Sequence, residues 1–128
     1  MLEPGVKNRR IFKVGEEHIA SFLGSGDVSV LSTPSMIAFM EETCRTSVED
    51  KLEEGKTTVG TRVEISHLRA APLGAEIEVT SELVEVDGRR LRFRVEAYWN
   101  GKKIGEGFHE RFIVDRDRFL SKIQKEVR

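Results

Sequence analysis

Four runs of alternating apolar and polar residues fill the stretch from Thr57 to Val114, and a single long helical pattern precedes them. Alternation at period two marks strands with one apolar face, and that face must be covered. In residues 57–68, Val59, Val63 and Ile65 share one face and Arg62 and Glu64 the other. Residues 76–86 turn Ile77, Val79 and Leu83 inward; residues 90–99 do the same with Leu91, Phe93, Val95 and Ala97. Paired residues share a face, so the parity of these two runs asks for a three-residue loop, Val86-Asp87-Gly88. That loop makes Gly88 left-handed and sets Glu82 opposite Arg92. Asn100-Gly101 is a two-residue hairpin signal. In the returning run, residues 103–114, Glu106 and Glu110 share parity with Ile104, Phe108 and Phe112, which asks for a bulge.

The helix that precedes this meander has clear ends. Ser32 or Thr33 suits the N-cap, and Pro34 suits the first turn, where no N–H is needed. Ile37, Met40, Cys44, Val48 and Leu52 recur at helical spacing, and Gly55 stands where a C-cap belongs. The pattern predicts a helix over residues 34–54, about 30 Å long. Upstream, residues 10–14 and 18–23 read as short strands, followed by a break at Gly24-Ser25-Gly26-Asp27. A short charged helix over residues 116–126 closes the chain. The whole is α+β, an antiparallel sheet packed on one long helix. A sheet wrapped around a central helix is the hotdog fold. Cystatin-like and cone-shaped helix-plus-sheet folds share the pattern, and periodicity does not separate them.

Composition narrows the function. A chain of 128 residues has room for one core, so residues 1–128 are expected to form a single domain. With 21 basic and 22 acidic side chains, the net charge of -1 gives no field for nucleic acid. Arg89, Arg90, Arg92 and Arg94 alternate opposite acidic strand residues without interleaved aromatics, which fits an ion-paired surface and not an RNA-binding one. No apolar run approaches the roughly 20 residues needed to span a bilayer, and the N-terminus lacks a signal-peptide core. Neither a membrane nor nucleic acid is therefore expected as a partner. Cys44 stands alone, which excludes an internal disulfide and a zinc set of cysteines. The chain reads as a cytoplasmic protein without a metal or cofactor. Abundant Lys, Arg and Glu beside scarce Asn and Gln resemble thermophile composition.

Function is sought where polar residues occupy core positions. With Ile37 at zero on the helical wheel, Glu41 falls at about 40°, inside the apolar stripe, and Glu42 at about 140°, on the wet side. A carboxylate so buried needs a partner or shifts its pKa upward. His67 shares parity with Val59, Val63 and Ile65, so its ring points toward the helix. Thr33 adds a hydroxyl two turns before Glu41. Together they leave room for a ligand between them. His18 and His109 read as surface groups, and one carboxylate with one imidazole is too few ligands for a metal.

The segments Thr33-Pro34-Ser35-Met36-Ile37-Ala38-Phe39-Met40-Glu41, Thr57-Thr58-Val59-Gly60-Thr61 and Ile65-Ser66-His67-Leu68-Arg69-Ala70-Ala71-Pro72-Leu73-Gly74 carry a resemblance. So do residues 82–91 and Gly105-Glu106-Gly107-Phe108-His109-Glu110-Arg111. Together they resemble the fluoroacetyl-CoA thioesterase-like branch of the hotdog superfamily. The resemblance implies a homodimer that hydrolyses an acyl-CoA thioester. It implies Thr33, Glu41 and His67 as catalytic residues, with Gly60 lining the thioester pocket and Arg111 contacting substrate. Without it, Gly60 reads as a strand bulge and Arg111 as a surface cation. The fluoroacetate-specific member carries aromatic residues in a lid before the helix. Here that region reads Gly24-Ser25-Gly26-Asp27-Val28-Ser29-Val30, which argues against fluoroacetyl specificity. Two other functions suit the same residues: a hotdog acyl-CoA dehydratase and a non-catalytic acyl-CoA-binding module.

Overall fold

The computed structural model describes residues 2–127. Five antiparallel strands, β1 (Lys7–Lys13), β2 (Lys56–His67), β3 (Glu76–Asp87), β4 (Arg90–Trp99) and β5 (Lys102–Asp115), form one sheet in the order β1-β3-β4-β5-β2. Helix α2 (Thr33–Glu49) lies across its apolar face, after a short α1 (Ala20–Leu23); α3 (Arg116–Gln124) follows β5. The core is Met36, Met40, Cys44 and Val48 of the helix against Ile77, Val79, Leu83, Leu91, Phe93, Val95 and Ala97 of the sheet. No helix among the described residues is long and apolar enough to cross a membrane.

Helix α2 starts where expected. Ser32 is the N-cap, its hydroxyl accepting from the Ser35 N–H at 3.1 Å. It ends at Glu49, five residues short of the expected end, and Gly55 serves the turn into β2 with a φ of 86°. The buried stripe is also rotated. Ser35, Phe39, Thr43 and Ser47 face the core, while Ile37 is only half-buried. Thr43 and Ser47 tolerate burial because their hydroxyls donate to the carbonyls of Phe39 and Cys44. Glu41 consequently stands on the flank of the stripe, half-buried, and not within it.

Three bulges correct the strand reading. The β3–β4 hairpin has a two-residue loop, Asp87 pairing with Arg90, and a bulge between Leu83 and Glu85 restores the parity that a longer loop was expected to supply. Glu82 accordingly pairs with Arg94 at 2.8 Å, and not with Arg92, which pairs with Glu110. In β2 the register shifts between Gly60 and Arg62, so Val59 lies opposite Phe112 on the outer face while Val63, Ile65 and His67 lie toward the helix. The expected bulge in β5 falls at Ile104, between the pairs Tyr98–Lys103 and Ala97–Gly105. Beyond it Phe108 and Phe112 face outward, while His109 and Arg111 turn under the helix. At Gly105 a Cβ would stand 2.6 Å from the tip of the Met36 side chain, so the methionine packs directly on the bare strand backbone there.

The Asn100-Gly101 hairpin is as expected, both residues at positive φ. Upstream of the helix, residues 18–23 are not a strand. Glu16–His18 forms a single 3-10 turn and α1 follows, closed by Gly24 at a φ of 73°. His18 is half-buried, its Nδ1 accepting from the Gly15 N–H and its ring set edge-on to Phe39.

Candidate active site

The polar residues singled out by the sequence form two clusters. At the N-terminus of α2, Thr33 Oγ1 and His67 Nδ1 share a hydrogen bond of 2.7 Å. His67 Nε2 is buried without a partner, and the pair lines a cleft with Ala20, Ser25, Gly26, Val28 and Arg69. Burial lowers the His67 pKa against the opposing backbone of Arg69, so the ring stays a neutral imidazole near neutrality.

The second cluster lies two helical turns away, about 12 Å along the α2 axis. There the Glu41 carboxylate reaches the backbone of Gly60. A Cβ on residue 60 would lie 3.0 Å from Glu41 Oε2, 3.2 Å from His109 Cε1 and 3.3 Å from Arg111 Nη1. Glycine is what allows these three polar side chains to converge over this strand. Among the described residues no ion pair involves Glu41, although its neighbours Glu42 and Arg45 pair with Arg10 and Glu49. Arg111 is 6% exposed. It donates to the Thr58 hydroxyl at 2.7 Å and the Thr58 carbonyl at 2.9 Å. The resemblance implied an arginine in contact with substrate. The structure buries it beside the carboxylate.

A family profile described as fluoroacetyl-CoA-specific thioesterase matches residues 14–117. The fluoroacetyl-CoA thioesterase of Streptantibioticus cattleyicolor is 36% identical over 98 residues, which are 77% of this chain and 70% of that protein. The chain belongs to the fluoroacetyl-CoA-specific thioesterase family. A solved structure of the fluoroacetyl-CoA thioesterase superposes with a TM-score of 0.91 at 30% identity, covering 98% of this chain and 97% of that one. A Thermus thermophilus protein described as a thioesterase superfamily member superposes at 0.90 with 29% identity, covering 98% and 93%. These likenesses establish the hotdog fold over the cystatin-like and cone-shaped alternatives, and the chain is a thioester-hydrolysing enzyme as the resemblance implied.

Within one chain of this thioesterase, then, Thr33 meets His67, Glu41 meets Gly60 and Arg111, and the two groups do not meet each other. The sequence reading missed His109. It is 1% exposed, beside Arg111, and not a surface group. The parity conflict in β5 asks for a bulge without fixing its place; set at Ile104, it turns residues 105, 107, 109 and 111 inward.

Two histidines buried as neutral rings make a pH prediction. Burial is the largest cause of the lowered pKa at both His67 and His109. Unfolding restores the ordinary value of about 6.5, so below that pH the unfolded chain binds more protons than the folded one. The stabilisation is complete above pH of about 6.5 and is lost as pH falls through the lower folded values. Thermal melts from pH 8 down to pH 5 should show a falling Tm. A flat profile would refute the buried neutral state.

Proposed function

We propose that the enzyme hydrolyses short-chain acyl-CoA thioesters to free acid and CoA, acting as a homodimer. The observation that carries the reading is the Glu41 carboxylate, in no ion pair among the described residues and set against the bare backbone of Gly60. Thioester hydrolysis needs an oxygen nucleophile at the carbonyl carbon, donors for the oxyanion that forms, and help for the departing thiolate. Glu41 attacks the carbonyl directly, forming an anhydride that water then cleaves to free acid, or takes a proton from the attacking water. The register shift at Gly60 leaves Thr61 without a partner in the β2–β5 ladder, and a backbone N–H at this bulge serves as donor to the oxyanion. The buried Arg111 adds positive charge beside the developing anion. When the C–S bond breaks, the electron pair leaves on sulfur, and His67, held by Thr33, assists that thiolate.

Dimerisation supplies what one chain lacks. β2 is a 12-residue edge strand, and Val63 on its helix-facing side is 45% exposed. Edges of this length are normally paired or covered. Antiparallel pairing of two β2 strands about a two-fold axis near Val63 and Glu64 sets Gly60 of one copy opposite His67 of the other. Each site then joins Glu41 and Gly60 from one protomer to Thr33 and His67 from its partner. The cleft at Thr33 and His67 has no aromatic lining residue, which supports acyl groups beyond fluoroacetyl. The buried thiol of Cys44 suits a reducing cytoplasm. The outer-face ion pairs of Arg90, Arg92 and Glu110, and of Lys103 with Glu96 and Glu106, suit a thermophile.

The test is release of free thiol over a panel from acetyl-CoA and fluoroacetyl-CoA to medium-chain thioesters. Turnover should be highest for the short chains. Binding without thiol release, or hydration chemistry on enoyl-CoA, would replace this reading.

A further inference from the structure

Resting on that reading of Glu41, we propose that His109 is a positioning residue that holds the Arg111 guanidinium beside Glu41 but apart from it, so that the carboxylate stays available for reaction. The hydrogen bonding assigns its state. His109 Nδ1 lies 2.8 Å from the Arg62 carbonyl oxygen, which only accepts, so Nδ1 carries the proton. Nε2 is then a bare lone pair, and it accepts from Arg111 Nη1 at 3.1 Å. Arg111 Nε and Nη2 are taken by Thr58. The guanidinium is thus anchored through all three of its nitrogens.

The consequence concerns Glu41. It and Arg111 are close enough to influence one another electrostatically, yet they form no ion pair within 4.0 Å among the described residues. Without His109 the guanidinium keeps only its two bonds to Thr58 and can tilt as a rigid plane, which brings Nη1 toward the nearby carboxylate and lets it engage an oxygen needed for attack. The β2 bulge belongs to this device, because it aims the Arg62 carbonyl at the ring. The ring in turn packs on Phe93, with centroids 6.5 Å apart. Its surroundings are otherwise Glu41 on α2, the Arg62 backbone on β2, and Glu110 and Arg111 on β5; the ring stays neutral because burial, with the Arg111 charge, outweighs the Arg62 carbonyl bond and the two carboxylates.

Two variants separate this role from a merely structural one. His109→Asn keeps an N–H donor at the Nδ1 position for the Arg62 carbonyl and loses the acceptor for Arg111. His109→Gln places an amide oxygen at the Nε2 position and loses the donor to Arg62. The proposal expects kcat for the best acyl-CoA of the panel to fall about 10²-fold in His109→Asn, with KM little changed. It expects His109→Gln to recover most of that loss even where its Tm is the lower of the two. Guanidinium ¹⁵N–¹H spectra provide a readout without turnover: slowly rotating Arg111 signals in the wild type and in His109→Gln should be lost or shifted in His109→Asn. Equal turnover in both variants, or activity that follows Tm and not the acceptor, would overturn the proposal. A wild type that releases no thiol while its Arg111 signals behave as expected would instead overturn the thioesterase assignment of Glu41 and leave the anchoring intact.

Discussion

Glu41→Gln should nearly abolish thiol release from acyl-CoA while leaving the fold intact. The amide is isosteric but neither attacks a thioester carbonyl nor accepts a proton from water. Loss of a general base typically costs about 10²–10⁴-fold, and loss of a nucleophile more. Stability should nearly hold, because among the described residues the carboxylate is in no ion pair and only half-buried; Arg111 loses a favourable neighbouring charge but keeps its own hydrogen bonds. Glu42→Gln is the matched control. It sits one residue away, in an ion pair with Arg10 at 3.3 Å, both side chains substantially exposed, and such pairs contribute little. Its turnover should match the wild type. Retained turnover in Glu41→Gln, measured with Tm on the same preparations, would remove the mechanism proposed here.

Mixing two inactive variants should restore activity. Glu41→Gln and His67→Ala each disable every site of their own homodimers. If a site draws Glu41 from one protomer and His67 from the other, a mixed dimer contains one site with both residues intact. Random reassortment makes half the dimers mixed, each with one working site of two, so activity should return to about a quarter of wild type. Reassortment by mild denaturation and refolding, followed by thiol release, is the measurement. If both residues acted within one chain, mixing would restore nothing. Sedimentation of the wild type as a monomer at micromolar concentration would remove the shared site altogether.

How far the sequence reveals this site depends on where strand parity is interrupted. His67 is legible because it lies on the same side of the β2 bulge as Val63 and Ile65, and Thr33 is legible from the helix start. Glu41 was found through a stripe centred on Ile37, although the helix actually buries Met36, Phe39 and Met40 and leaves Glu41 on the flank. The anomaly was real, but its degree was overstated, because Ser35, Thr43 and Ser47 do not register as core residues when only apolar spacing is counted. The burial of Thr43 and Ser47 depends on hydroxyls bonding to local carbonyls, which no hydropathy pattern records. His109 and the burial of Arg111 were out of reach for another reason. The parity conflict in β5 demanded a bulge but not its position, and each possible position sends a different set of side chains inward. The β3–β4 hairpin shows the same ambiguity: loop length and bulge are interchangeable in sequence, and only the sheet decides between them.

The extra residue in β5 also exposes a compromise between cohesion and reactivity. Were Ile104 accommodated without a bulge, the strand would present Phe108 and Phe112 to the helix and leave His109 and Arg111 in water. The same register would also turn Glu106 and Glu110 toward the helix, so the two aromatic rings would come inside together with two carboxylates. As built, Phe108 lies outside under the Arg92 guanidinium, 4.3 Å from ring centroid to cation, and Phe112 is 41% exposed. Two aromatic side chains that would strengthen the core are held at the surface so that two polar ones can occupy the interior. A shift of one residue in one strand thus exchanges Phe108 and Phe112 for His109 and Arg111 beneath the helix.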